Sequence, residues 1–198
     1  MNPVARLLPI VAAFVGGLVL CLGVLVLFGA RGSQPIASQA AAIGGPFQLV
    51  DQDGRTVTDQ DLKGKPFLVF FGYTHCPDIC PTTLFDMSEL LRGMGAEADR
   101  LGAVYITIDP ERDTAALMKD YLSNFDPHLR GLTGDTAAIA SVAKEYRVYY
   151  KKVPIEGGDY TMDHTAIVYL MDKNGHFVAP FNLNRKPDVM AADLRKYL

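Results

Sequence analysis

From Leu7 to Ala30 the chain reads LLPIVAAFVGGLVLCLGVLVLFGA, 24 residues without a charged side chain. At helical rise such a run spans about 36 Å, enough for a bilayer core of about 30 Å. It predicts one transmembrane anchor over 7–30; a cleaved signal peptide is the rival, but its apolar region ordinarily runs only about 7–15 residues. Residues 31–46, RGSQPIASQAAAIGGP, replace the apolar run with small and polar types, two Pro and three Gly. That composition predicts a flexible tether of roughly 20–24 Å end to end.

Beyond the tether the pattern changes to short alternating elements. Phe47 to Val50 before Asp53-Gly54 predicts a short strand and turn. Phe67 to Phe71 is a continuous apolar run between Lys65-Pro66 and Gly72, the signature of a strand buried on both faces. Pro81 suits a first helical position, and Leu84, Met87, Leu90 and Leu91 continue one stripe until Gly93. Ala103 to Ile108 predicts a second buried strand, Thr114 to Phe125 a helix, and Leu129 to Leu132 a short strand. Thr136 to Tyr146 predicts a third helix with Asp135 as its N-cap. Thr165 to Met171 and His176 to Phe181 flank Asn174-Gly175, a hairpin signal. A last helix is predicted from about Pro187 to Tyr197. This order is α/β with a late hairpin, a thioredoxin-like pattern over 47–198.

Charge sharpens the division. Residues 1–33 hold Arg6 and Arg31 and no acid, which leaves 17 Lys+Arg against 22 Asp+Glu in the remaining 165 residues, a net of about −5. An acidic domain without a basic run excludes a nucleic-acid partner. Arg6 beside the free amine places residues 1–6 in the cytoplasm by the positive-inside rule. The domain is then expected in the periplasm, tethered to a bacterial inner membrane. Of three cysteines, Cys21 falls in the apolar run and reads as an inert lipid-facing thiol, so a disulfide-stapled scaffold is excluded.

The other two, Cys76 and Cys80, lie in Gly72-Tyr73-Thr74-His75-Cys76-Pro77-Asp78-Ile79-Cys80-Pro81, between the central strand and the first helix. Loops at the carboxyl ends of central strands are where open α/β sheets place their sites. A near-helical path brings thiols four residues apart to one side, able to chelate a metal or to close a bridge. The adjoining helix N-terminus is expected to favour thiolate. Met162-Asp163-His164 precedes the strand predicted at Thr165, and in a thioredoxin-like sheet that loop faces the start of the active helix. With no proline next to it, His164 can offer an imidazole to the two sulfurs, and such a soft set suits Cu(I) and can hold Cu(II). Spacing alone specifies only a thiol site with a nearby histidine.

Tyr73 to Pro81, together with Asp109-Pro110-Glu111-Arg112-Asp113 and Asp163-His164, makes the chain resemble the Sco/SenC family, membrane-anchored copper proteins of cytochrome oxidase assembly. The resemblance covers roughly residues 47–185. It implies a thioredoxin-like fold and Cys76, Cys80 and His164 as ligands for one copper, Cu(I) or Cu(II), per chain. It further implies an upstream copper donor and, as client, the dinuclear copper centre of cytochrome c oxidase subunit II.

Neighbouring residues receive plainer readings. His75 is expected to orient or hydrogen-bond rather than ligate, Asp163 to hold the His164 ring in one tautomer, and Met162 to pack. Asp78 is balanced between a solvated loop position and support of the site. His128 and His176 are expected to face water. Asp109 to Asp113 reads as a partner-facing charged loop or a simple turn, and Tyr149 to Lys152 as an exposed strand end. Two functions fit: a copper chaperone, and a thiol-disulfide oxidoreductase with Cys76 and Cys80 as its catalytic pair. A peroxidase of the same fold fits worse, since the chain has no Trp and Tyr73 occupies the place where such sites carry Thr.

Overall fold

The computed structural model describes residues 43–198 and, before them, only the helical Gly17. The anchor expected over 7–30 and most of the expected tether lie outside the described residues. Among the described residues no helix is long and apolar enough to cross a membrane.

Strand β3, Phe67–Gly72, is buried at all six positions because both of its edges and both of its faces are covered. β4 (Gly102–Thr107) runs parallel to it from Phe67↔Gly102 to Gly72↔Thr107, and β8 (Val168–Met171) antiparallel on the other side. Each fully buried Phe, Leu or Val contributes roughly 1.5–3 kcal/mol relative to exposure, so this strand is the centre of the core. β5 (Leu129–Thr133) extends the sheet parallel to β4, and β1 (Gln48–Asp51) and β2 (Thr56–Thr58) close that edge antiparallel. β9 (Phe177–Pro180) closes the other edge, giving the order β2-β1-β5-β4-β3-β8-β9.

Helix α1, Ile79–Met94, leaves the carboxyl end of β3 and buries Cys80, Leu84, Met87, Ser88, Leu90, Leu91 and Met94 on one stripe. It starts two residues before Pro81, which still falls among the first four positions, where a missing N–H costs nothing. It ends at Gly95, whose φ of 55° is a conformation that side chains disfavour. α2 (Ala115–Leu122) follows β4 and packs on β5, with Thr114 accepting from the Leu117 N–H as its cap. α3 (Thr136–Glu145) is capped by Asp135, which accepts from the Ala138 N–H, as its sequence predicts. α4 (Pro187–Arg195) packs beside α1.

The largest departure from the sequence expectation lies between residues 150 and 164. Tyr149 to Lys152 reads as a strand end, but β6 (Tyr150–Pro154) and β7 (Tyr160–His164) form a complete antiparallel ribbon, separate from the seven-stranded sheet. Gly157 and Gly158, with φ of 87° and 83°, make its turn. The ribbon escapes a search for apolar runs because its strands are mostly polar and partly exposed. At the amino end, Ile43 packs against the core and the Gly44 N–H donates to the Glu145 carbonyl, so the domain's packing begins before Phe47.

Candidate metal centre

The site begins at the last residue of β3. A Cβ on Gly72 would lie 2.7 Å from Cys80 Sγ and 2.9 Å from the Tyr105 ring, so only glycine lets the sulfur sit against the strand end. From there the chain turns, with the Cys76 N–H donating to the Tyr73 carbonyl, and enters α1. The Cys80 N–H donates to Cys76 Sγ at 3.4 Å, which sets the two sulfurs side by side. Both cysteines are free thiols; Cys76 is 9% exposed and Cys80 fully buried.

His164 comes from the end of β7, opposite Tyr150, and not from a loop as its sequence context suggests. Its Nδ1 lies 3.1 Å from the Thr165 carbonyl oxygen. A carbonyl only accepts, so Nδ1 carries the proton and Nε2 presents a lone pair, 3.7 Å from Cys80 Sγ. Phe70 and Tyr73 hold the ring edge-on, at centroid distances of 6.4 and 5.9 Å. The donor atoms of Cys76, Cys80 and His164 all lie within 4.8 Å of one another, the single such metal-compatible group among the described residues. Two sulfurs and one imidazole nitrogen are a soft set, compatible with Cu(I) or zinc-like ions and unsuited to hard cations.

Burial tunes the three groups differently. It lowers the pKa of His164 below the ordinary imidazole value, against a smaller opposing effect of the Thr165 hydrogen bond, so the ring is neutral and ready to ligate. It pushes the Cys80 thiol far up, outweighing the backbone hydrogen bond from Tyr73. At Cys80, desolvation thus opposes the thiolate that the helix N-terminus is expected to favour.

The supporting residues differ from the sequence reading in several places. Asp163 is exposed, and the Thr165 main chain, not Asp163, orients the His164 ring. Asp78 is exposed and makes no cap hydrogen bond on α1, the solvated reading. His75 is exposed, its Nδ1 3.0 Å from the Thr74 hydroxyl, and lies outside the metal-compatible group. Met162 is buried and packs, as expected. His176 is exposed as expected, whereas His128 is half-buried between Asp126 and Asp99, at 2.6 and 3.1 Å, and does not simply face water.

Of the two readings of Asp109 to Asp113, the structure shows the turn that feeds α2. Asp109 and Asp113 are fully buried, so their carboxylates face no partner directly. Asp113 accepts from the Thr74 N–H at 3.0 Å, the Thr74 hydroxyl and the Thr107 hydroxyl, bracing the cysteine loop from behind. Burial raises its pKa, and those hydrogen bonds oppose the rise. Tyr73 is the other support that sequence reasoning missed. Its hydroxyl bonds the Thr161 hydroxyl at 2.7 Å and accepts from the Met162 N–H at 3.3 Å, linking the cysteine loop to β7. Nothing in the spacing of Tyr73 and Thr161 signals that pairing.

The family model described as SCO1/SenC matches residues 36–198. The chain belongs to the SCO1/SenC family. Bradyrhizobium japonicum ScoI, solved with copper bound, is 67% identical with a TM-score of 0.78, over 79% of this chain and 100% of that one. The mitochondrial SCO1 homolog 1 of Arabidopsis thaliana is 41% identical over 162 residues, 79% of this chain and 48% of that protein, so the chain spans about half that relative's length. BsSco, described as a member of the Sco family of cytochrome c oxidase assembly proteins, is 27% identical with a TM-score of 0.62, over 79% of this chain and 93% of its own. The two solved relatives, ScoI and BsSco, share the α/β thioredoxin-like fold seen here.

Proposed function

We propose that the chain is a copper chaperone, holding one copper per chain as cargo between Cys76, Cys80 and His164 and delivering it to the dinuclear copper centre of cytochrome c oxidase subunit II. The observation that carries this reading is the convergence of two sulfurs and one neutral imidazole nitrogen within 4.8 Å. The copper bound to Bradyrhizobium japonicum ScoI supports the choice of cargo, and the assembly role in the family name given to BsSco supports the client. Three soft ligands suit Cu(I), and the same set accepts Cu(II). Loading from an upstream donor displaces the Cys80 proton, and a three-coordinate ion leaves room for an incoming client thiol to add before a ligand here departs. Cu(I) then passes by ligand exchange without changing oxidation state.

In this reading residues 7–30 anchor the chain in a bacterial inner membrane, residues 1–6 are cytoplasmic, and the domain works in the periplasm. The tether over 31–46 keeps the site near the membrane, where the client also projects, and raises the local concentration of the pair. Reporter fusions after Ser33 and after Leu198 test the orientation, which a cytoplasm-only reporter active at either place would overturn. The central test is anaerobic copper titration of the reduced protein with metal counted per chain. One tightly bound copper is expected, and full-strength binding by a Cys76→Ser/Cys80→Ser double variant would sink the assignment.

A second reading, a thiol-disulfide oxidoreductase, is favoured by the asymmetry of the thiols. Cys76 lies at the mouth, while Cys80 is sealed beneath it. A Cys76 thiolate would attack a client disulfide and release one client thiolate; Cys80 would then displace the second and close a Cys76–Cys80 disulfide, passing two electrons to the client. The disulfide switch named for BsSco supports redox chemistry at such a pair. Client reduction that survives His164→Ala, with no copper transfer from the loaded protein, would favour this reading over the first.

A further inference from the structure

The ribbon that ends in His164 shares no main-chain ladder with the seven-stranded sheet, since β6 and β7 pair only with each other. An isolated two-stranded hairpin is marginal in water, so contacts from elsewhere must fix it. Many of them meet at Arg112. Its Nε donates to the Asp109 carboxylate, and its Nη1 donates to Asp159 Oδ1 at 3.1 Å and to the Tyr160 carbonyl at 3.0 Å. The guanidinium carbon lies 3.7 Å from the Tyr160 ring centroid, and the Tyr160 hydroxyl donates back to Asp109 Oδ1 at 2.8 Å. Arg112, Asp109 and Tyr160 thus form a closed triangle across the gap between the β4–α2 loop and the first residue of β7. Arg112 Nη2 is buried without a hydrogen-bond partner, so the aromatic face is what offsets part of its lost hydration.

The strand transmits this attachment. In an extended chain, side chains two apart share a face, which puts Tyr160, Met162 and His164 on one side of β7. Met162 is buried, so that side faces inward, and the clamp acts about 13 Å from His164 along the strand. Cys76 and Cys80, by contrast, stand on the loop after β3 and on α1, which the Arg112 side chain does not hydrogen-bond, although its guanidinium carbon lies 5.8 Å from the Tyr73 ring centroid on that loop.

We propose that Arg112 is a positioning residue for copper binding: by clamping Asp109 to the start of β7, it keeps His164 Nε2 directed at the Cys80 sulfur. The inference rests on the copper-ligand reading above and adds to it a residue that touches no metal. Its hydrogen bonds reach β7 and not the cysteine loop, so its effect is expected to pass mainly through His164. A clamp that only stabilised the domain would weaken copper binding whether or not His164 is present.

The test is a double-mutant cycle on the full-length chain in detergent, with Cu(I) affinity read by chelator competition and nitrogen coupling in the Cu(II) form read by electron paramagnetic resonance. Arg112→Met keeps the aliphatic stem and removes the donors; it is expected to lower affinity by about 10–100-fold, the usual cost of losing an outer partner of a ligand, and to weaken the imidazole coupling. In a His164→Ala background the same change is expected to cost less than about twofold, because nothing remains to position. An equal loss in both backgrounds, or no loss in the first, overturns the proposal. Tyr160→Phe, which removes one hydroxyl, runs through the same cycle and decides the matter if Arg112→Met does not fold. Wild-type protein that binds no copper would instead sink the copper reading itself, and normal wild-type binding with an Arg112→Met variant unaffected would sink only this inference.

Discussion

Cys76 and Cys80 stand on a loop and helix that leave β3, a strand hydrogen-bonded on both sides and buried along its whole length, whereas His164 ends a two-stranded ribbon outside that sheet. The thiol half is held by main-chain ladders and core packing. The imidazole half is held by side chains: the Tyr73 hydroxyl, the buried Met162, and the Arg112 triangle. Packed cores do not deform gradually, while a ribbon held by a few polar contacts can shift at modest cost. On the proposed copper reading, the contrast predicts that the thiols retain the metal and the imidazole controls it, and it can be broken or sharpened by experiment.

The largest effect is expected from the thiol half. Cys76→Ser or Cys80→Ser should abolish tight Cu(I) binding in an anaerobic competition assay, with the fold unchanged by circular dichroism. Retained binding in either variant would remove the distinction between the two halves. His164→Ala comes next: its loss in affinity should at least match the roughly 10–100-fold typical of losing an outer partner of a ligand, and the two sulfurs should still hold some Cu(I). If His164→Ala binds as tightly as the wild type, the ribbon has no part in the site.

Gly72→Ala attacks the join between strand and thiol. Its new methyl meets Cys80 Sγ and the Tyr105 ring at under 3 Å, so the core must shift. Overpacking of this kind costs about 1–3 kcal/mol, read as a lower denaturant midpoint. An unchanged midpoint would mean that the strand end yields, contrary to the rigid half described here. The smallest effect is expected far from the metal, at His128. Hydrogen bonds from its ring to the Asp126 and then the Asp99 carboxylates raise its pKa above the ordinary imidazole value in the folded state. A raised folded value means that the stabilisation is full below the unfolded pKa and is lost as pH rises through the folded one. The difference in stability between wild type and His128→Gln should therefore shrink from pH 6 towards pH 8, by under about 1 kcal/mol because the site is partly exposed. A difference that grows with pH would reverse the assignment.

Much of the sheet was legible because its strands are continuous apolar runs: Phe67 to Phe71 and Ala103 to Ile108 lie within a residue or so of β3 and β4. Asp135 capped the predicted helix, and Asn174-Gly175 marked the β8–β9 turn. The two cysteines announced themselves by spacing, since four residues along a near-helical path suffice to bring their sulfurs together. The sequence by itself thus determined the α/β class, the central strand and the thiol pair, because each rests on periodicity or on contacts close along the chain. Only the tertiary structure decided how His164 reaches the sulfurs, why Asp113 is buried behind Thr74, and what Arg112 grips. Those partners lie tens of residues apart on polar segments, where no periodicity marks which side chain will meet which. Burial also raised the pKa of Cys80, because desolvation depends on what the folded chain packs around a group and not on the residues beside it.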